Sequence, residues 1–470
     1  MDTRSGQTFL DKTWRHLRQV WRGAAGNGRN HQSVSLQPQL PDEDLDQLRQ
    51  WMRACLEVQG QEVSARARTA QLGHAYMALD AEGRRRFLQL LAEEFDRDDG
   101  EIEQAISAWR DAEGPRRVEA RLALQELLDP PRMQLLKQFT ELPEGVKFLV
   151  DMRAELLLHR RESPALAALE ADLKRLLIHW FDVGLLNLER ISWQSPAELL
   201  EKLIAYEAVH EIQSWEDLKN RLDSDRRCFA FFHPNMPGEP LIFVEVALVN
   251  GLADNIQQLL DEEAPLQALA QADTAIFYSI SNAQQGLAGI SFGNFLIKRV
   301  VGLLQQEFPA LKQFATLSPI PGFSRWLKQV EDQQLIELLG NDTALPLLRS
   351  AQGESDWPSD PARAELLREP LQRLAAHYLA RERKSDRRAL DPVAHFHLSN
   401  GAEIAQLNWL ADRSSKGLRQ SMALMVNYRY DLARVESNSQ QYLASGEAAT
   451  GKAFETSLGK PAKAVRERVR

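Results

Sequence analysis

The sequence predicts an α+β protein, with an all-α first part followed by a strand-rich second part enclosed by helices. Three observations carry this. Between Pro41 and about Trp180 apolar residues recur at helical spacing, and no alternating stretch of useful length interrupts them. After Trp180 short β-branched and aromatic runs appear, CFAFF at 228–232, LIFVEVAL at 241–248 and TAIFYSIS at 274–281. The last of these feeds a loop bearing Gly286, Gly289 and Gly293 into an amphipathic helix, the arrangement in which free N–H groups and a positive helix end face an anion.

In chain order, residues 1–40 are polar with scattered Gly, Asn and Pro, and are expected to form a flexible N-terminal segment. Residues 41–180 are expected to form a helical bundle. At 84–95 the apolar positions are Phe87, Leu90, Leu91 and Phe95. Ser163 followed by Pro164 is a cap and first-turn proline, and Leu166, Leu169, Leu173, Leu176 and Leu177 then mark one face. Pro130, Pro131 and Pro143 divide the run into separate helices. The bundle carries no convergent set of catalytic residue types, and its expected role is packing and oligomer contact.

The second domain is expected over 181–435. A helix at 196–206 leads into the first strands, and the turn-rich NMPGEP between 232 and 241 suits antiparallel neighbours. After the strand at 274–281 and its glycine loop, Asn294 is a good N-cap for a helix starting at Phe295, with Ile297, Val300, Val301 and Leu304 on its apolar face. Lys298 and Arg299 in its first turn oppose the usual charge preference, which an anionic ligand would offset; the plain alternative is a tight turn with two solvated basic side chains. A short strand and the proline-rich SPIPGF (318–323) follow. Residues 340–390 are helical and charged and are expected to be a peripheral insertion. Leu418, Met422 and Met425 are spaced as one face of a late helix, and 436–470 is expected to be a flexible tail.

The 470 residues suffice for two or three domains. A net charge of −9 argues against a general nucleic-acid binder. Two cysteines, Cys55 and Cys228, suit a reducing compartment and offer no disulfide framework. No apolar run approaches the roughly 18 residues of a spanning helix, the N-terminus lacks the apolar core of a secretory signal, and the expected location is cytoplasmic. GEAATGKA (446–453) nearly spells a phosphate-binding loop, but Ala453 stands where a Ser or Thr is needed and no apolar strand precedes it. His395 and His397 lack companion ligands at metal-site spacing, His210-Glu211 lacks a second histidine, and no G-x-S-x-G elbow occurs, so no metal site is expected.

QQGLAGISFGNFLIKRVV with LSPIPGFSRWL, HPNMPGEPLIFVEVAL, DPVAHFHLSNGAEIAQLNWLADRS and LMVNYRYDL resemble, in order and approximate spacing, the malonyl-CoA decarboxylase family. The resemblance extends more weakly into the helical part through WFDVGLLNLERISW. It implies a GNAT-like acyl-CoA fold for the second domain, with malonyl-CoA as the substrate, no cofactor, and acetyl-CoA and CO2 as products. By itself Ser318 reads as a turn-stabilising hydroxyl and His397 as a packed core histidine. The resemblance makes them the catalytic pair, His397 contacting the malonyl carboxylate and protonating C2 and Ser318 orienting the carboxylate or relaying a proton. Tyr430 matches a family tyrosine, and the resemblance implies a place for it lining the same pocket; by itself it reads as an aromatic at a capped helix end. Ala288, Gly289, Ile290, Ser291, Phe292, Gly293 and Asn294 would bind the CoA portion by their backbone. Ser291 stands where some relatives carry an acidic residue, so no carboxylate role carries over to it. A homotetramer with helical contacts is implied as well. A GNAT-type acyltransferase and a non-catalytic acyl-CoA sensor are the rival functions, separated from a decarboxylase by whether an acceptor is needed and whether substrate turns over.

Overall fold

Side-chain caps start three of the described helices of the first part. The structure, a computed structural model, describes residues 36–57, 62–290 and 295–458 together with Trp14, Leu17 and Trp21. Among the described residues from Pro41 to Trp180 the helices are α1 (Asp42–Leu56), α2 (Glu62–Ala78), α3 (Ala81–Glu94), α4 (Asp99–Asp111), α5 (Gly114–Leu127), α6 (Pro131–Phe139), α7 (Gly145–His159) and α8 (Pro164–Trp180). Asp80, Asp98 and Ser163 cap α3, α4 and α8 by accepting first-turn N–H groups. Helix α7 is the centre: residues 145–156 are all buried, and the charged groups among them are paired, Lys147 with Asp151 (2.5 Å) and Arg153 with Glu170 (2.6 Å). Trp14, Leu17 and Trp21 are buried too, so the segment expected to be flexible contributes core, Trp21 donating its indole N–H to the Pro143 carbonyl (2.6 Å). The rest of 1–35 lies outside the described residues.

The chain divides into two units. The first takes in residues up to 187 plus Phe232–Glu239 and Gln284–Ser291, two short segments expected in the second domain; the second unit holds the remainder.

The second unit is built on a mixed sheet of β1 (Asn187–Ile191), β2 (Arg226–Phe232), β3 (Pro240–Val249), β4 (Thr274–Asn282), β5 (Gln313–Thr316), β6 (Ser318–Pro319), β7 (Glu403–Asn408) and β8 (Met425–Arg429), in the order β1-β2-β3-β4-β5-β8-β6 with β7 on β8. Strands β3 and β4 pair antiparallel along their length, with a bulge at Glu245/Val246. The β4–β5 pair is parallel and ends after four residues, at Phe277 and Thr316, so the second half of β4 has no β5 partner. Helix α9 (Phe295–Glu307) crosses between them and buries Leu296, Ile297, Val300, Val301 and Leu304. Ile276, Tyr278, Ala315, Leu317 and Met425 form the core under this junction.

Three expectations are corrected here. Met425 is a strand residue: the helix Ser415–Ser421 stops at Met422, which has φ 52°, so the helical spacing of Leu418, Met422 and Met425 is broken by a backbone reversal. The charged stretch 340–390 is integral, because α10 (Pro361–Arg381) buries Leu367, Leu371, Leu374 and Leu379 completely. The tail holds α12 (Val435–Ser445) and α13 (Lys452–Leu458), anchored by buried Tyr442 and Phe454, two apolar side chains in a polar stretch. Residues 459–470 lie outside the described part.

Candidate active site

Strand β5 runs into β6 through Leu317, and Pro319 favours the extended backbone that presents Ser318 to β8, where it pairs with Val426. His397 comes from α11 (Pro392–Ser399), which starts on an Asp–Pro pair: Asp391 accepts the N–H groups of Val393 (2.9 Å) and Ala394 (3.0 Å). Tyr428 in β8 and Tyr430 just beyond it are two apart, hence on one face, and both meet the imidazole. Tyr428 stacks on it, with centroids 4.5 Å apart and planes at 23°. The Tyr430 hydroxyl lies 2.7 Å from Nδ1.

These contacts form a line of hydrogen bonds. The Ser318 hydroxyl donates to Thr316 Oγ1 (2.8 Å), which also accepts the Tyr428 N–H (3.2 Å). Ser318 Oγ lies 3.3 Å from His397 Nε2. With the Ser318 proton directed to Thr316, the Nε2–H tautomer satisfies every member: Nε2–H donates to Ser318 and Nδ1 accepts from Tyr430. The main chain at Thr316 is fixed in turn by Asn427, whose amide donates to its carbonyl (2.6 Å) and to that of Ala253 (3.0 Å) while accepting from Asn408 (2.7 Å).

The set is buried and uncharged. Ser318, His397, Tyr428 and Tyr430 are all buried. Burial alone lowers the imidazole to about 3, so His397 is neutral near pH 7. Burial also raises Tyr430 well above the ordinary phenol range, keeping it a donor. Tyr430→Phe removes the donor to Nδ1 and frees the ring to change tautomer; kcat is expected to fall by roughly ten- to a hundredfold with KM nearly unchanged, read from initial rates. The neighbouring His395 turns to the Tyr442 hydroxyl (2.9 Å) instead, and among the described residues no group of three or more His, Cys, Asp or Glu is arranged to hold a metal ion.

The glycine loop belongs to the first unit. Arg153 donates to the carbonyls of Gly286 and, at 2.9 Å, Ala288, drawing both inward. Of the expected backbone donors, Ala288 N–H is taken by Gln285 and Ile290 N–H by Leu287, each at 3.0 Å. Gly289, at φ 73°, is the described residue of the group whose N–H has no acceptor among the described residues. A side chain there would come within 3.5 Å of Lys174 Nζ, a group with no carboxylate partner among the described residues. Ser291, Phe292, Gly293 and Asn294 lie outside the described residues. Arg299, whose charge in the first turn an anionic ligand would offset, sits with its guanidinium 5.7 Å from the Phe231 ring centroid.

The structure therefore brings Ser318, His397 and Tyr430 into one site. Thr316, Asp391, Asn427 and Tyr428 around this set were missed by sequence reasoning, and so, in the first unit, was Lys174 beside Gly289. Asp391 carries the signal that found Ser163, a capping side chain followed by proline; the others carry none, because their roles depend on partners distant in the chain.

A helical part followed by a mixed sheet whose parallel pair opens after four residues, with a buried serine–histidine pair in the sheet unit, defines an α+β protein with a candidate active site. The chain belongs to the malonyl-CoA decarboxylase family and is an enzyme of the carboxy-lyase class. Residues 184–468 match the malonyl-CoA decarboxylase C-terminal domain and residues 95–181 the N-terminal domain. The chain is 38% identical over 409 residues to the mitochondrial malonyl-CoA decarboxylase of Anser anser anser, covering 81% of each. To the enzyme of that name in Rattus norvegicus it is 40% identical over 394 residues, 78% of this chain and 80% of the other. The crystal structure of malonyl-CoA decarboxylase from Rhodopseudomonas palustris is 41% identical with a TM-score of 0.79, covering 88% of this chain and 99% of that one. This similarity agrees with the α+β class expected, and among the described residues no helix is long and apolar enough to cross a membrane.

Proposed function

We propose that this chain converts malonyl-CoA to acetyl-CoA and CO2 with no cofactor. The observation that carries the reading is the buried, uncharged Ser318–His397–Tyr430 set with both imidazole nitrogens engaged. The bond between C2 and the carboxylate carbon breaks, its electron pair delocalises onto the thioester oxygen as an enolate, and CO2 leaves. The thioester is thus its own electron sink. A carboxylate concentrates charge and an enolate spreads it, so a dry neutral pocket with a few directed hydrogens disfavours the first relative to the second. One proton is consumed per turnover. It enters on His397, whose basicity the incoming carboxylate raises, and is delivered to C2, while Ser318 orients the carboxylate out of the thioester plane.

The glycine loop is the proposed seat of the CoA portion, with Gly289 N–H as backbone donor and Lys174 as a cation for a phosphate. Lys174→Ala is expected to raise KM for malonyl-CoA about five- to tenfold with kcat unchanged; an unchanged KM in steady-state assays removes Lys174 from the site. A homo-oligomer is proposed from the hairpin of α4 and α5, which buries none of its residues and exposes Val118 and Leu122 by half. A cytoplasmic location is part of the proposal, and fractionation tests it against the mitochondrial location in the names of the goose and rat relatives.

The deciding experiment gives purified protein malonyl-CoA and EDTA with no acceptor. Equal amounts of CO2 and acetyl-CoA are expected. Product only when an amine is added identifies an acyltransferase, and tight binding without product identifies a sensor.

A further inference from the structure

We propose that Asp391 is a positioning residue for the decarboxylation, one carboxylate setting the Ser318–His397 spacing by holding both chain segments at once. The inference rests on the reading of Ser318 and His397 as the reacting pair.

Asp391 is fully buried, and its two oxygens divide their work. Oδ1 accepts the N–H groups of Val393 (2.9 Å) and Ala394 (3.0 Å), fixing the start of the helix that carries His397 two turns on at most. Oδ2 accepts the Gly322 N–H (3.2 Å), in the turn that follows Ser318, and faces the Tyr378 hydroxyl at 3.5 Å. Gly322 and Asp391 are 69 residues apart in sequence, so this bond ties two otherwise separate segments. The turn is also pressed onto Tyr378: a side chain at Gly322 would overlap its hydroxyl.

Residue chemistry separates a cap from a clamp. Serine and asparagine cap helices about as well as aspartate. Neither offers two acceptor oxygens. Serine is too short to reach the turn once it caps the helix, and asparagine would set an NH2 against the Gly322 N–H. Burying a carboxylate is costly, and at a site where serine would suffice for the cap, the cost is explained by the second oxygen. Loss of the clamp leaves the helix formed and lets Ser318 and His397 drift, and a shift of about 1 Å in a reacting geometry costs up to about a hundredfold in rate.

The test compares Asp391→Ser and Asp391→Asn with wild type in the full chain, reading kcat, KM for malonyl-CoA, thermal unfolding and, in a Ser318→Ala background, the further loss caused by Asp391→Asn. Folded variants with kcat lowered about tenfold or more and KM within about threefold are expected. In the Ser318→Ala background the extra loss should shrink to about twofold or less, since the spacing no longer matters. Wild-type kcat in either variant, an undiminished loss in that background, or failure of both variants to fold overturns the clamp and leaves a structural cap. If Ser318→Ala itself keeps wild-type kcat, the reading of the reacting pair fails instead, an outcome visible in the same series.

Discussion

Replacing His397 by asparagine, or Ser318 by alanine, is expected to lower kcat by on the order of 10²–10³ while leaving CoA affinity within about twofold. Both side chains sit in one buried line of hydrogen bonds, Nε2 against Oγ at 3.3 Å, with Thr316 and Tyr430 closing its ends. In the proposed mechanism their main contribution comes as the carboxylate is lost and C2 takes up the proton, so their removal is expected to weaken the transition state more than the bound substrate. The two losses should not add. Once the serine no longer holds Nε2, the imidazole is misdirected, and the double variant is expected to be little worse than the poorer single one. Acetyl-CoA release under saturating malonyl-CoA, with CoA binding measured separately, decides the matter. A variant that keeps wild-type kcat strikes that residue from the mechanism.

The second large effect is on stability in acid. Burial holds the folded His397 imidazole at about 3, whereas an unfolded histidine titrates near 6.5. As pH falls below about 6.5 the unfolded chain takes up a proton that the folded chain refuses, so the equilibrium shifts toward unfolding by about 1.4 kcal/mol per pH unit until about pH 3. Above pH 6.5 this histidine contributes no pH dependence. His397→Asn lacks the slope. Between pH 7.5 and pH 5 the stability of the variant relative to wild type should therefore rise by about 2 kcal/mol, read from urea melts at each pH. Other buried histidines, such as His233, are common to both proteins and cancel in the comparison. Parallel pH dependences would mean that the folded site accepts the proton as readily as the unfolded chain does, and that burial does not keep His397 neutral in mild acid.

Much of the fold was legible because its signals are local. Ser163 with Pro164 capped a helix as read, the apolar face of 295–307 is buried as its spacing requires, and the runs at 228–232, 241–248 and 274–281 are strands. Where the reading erred, a local pattern was overruled by a distant partner. Leu418, Met422 and Met425 have helical spacing, yet Met425 pairs with Asn408 and Pro319 in the sheet. Residues 436–458 are polar in composition, yet they are helical and anchored by buried Tyr442 and Phe454. Composition averages over a window, whereas burial of a few side chains decides whether a segment is ordered.

The site divides in the same way. The sequence by itself determined the residue types, the extended backbone imposed on Ser318 by Pro319, the cap and proline that start the His397 helix, and, through motifs in order, the family. Those properties depend on neighbours a few residues away. Tertiary structure alone decided that Ser318 meets His397 across 79 residues, that Tyr428 and Tyr430 close on one imidazole from a single strand face, and that the imidazole is neutral. Hydrogen bonds and desolvation act over a few ångströms of space, whatever the distance along the chain, so only the packed fold sets them.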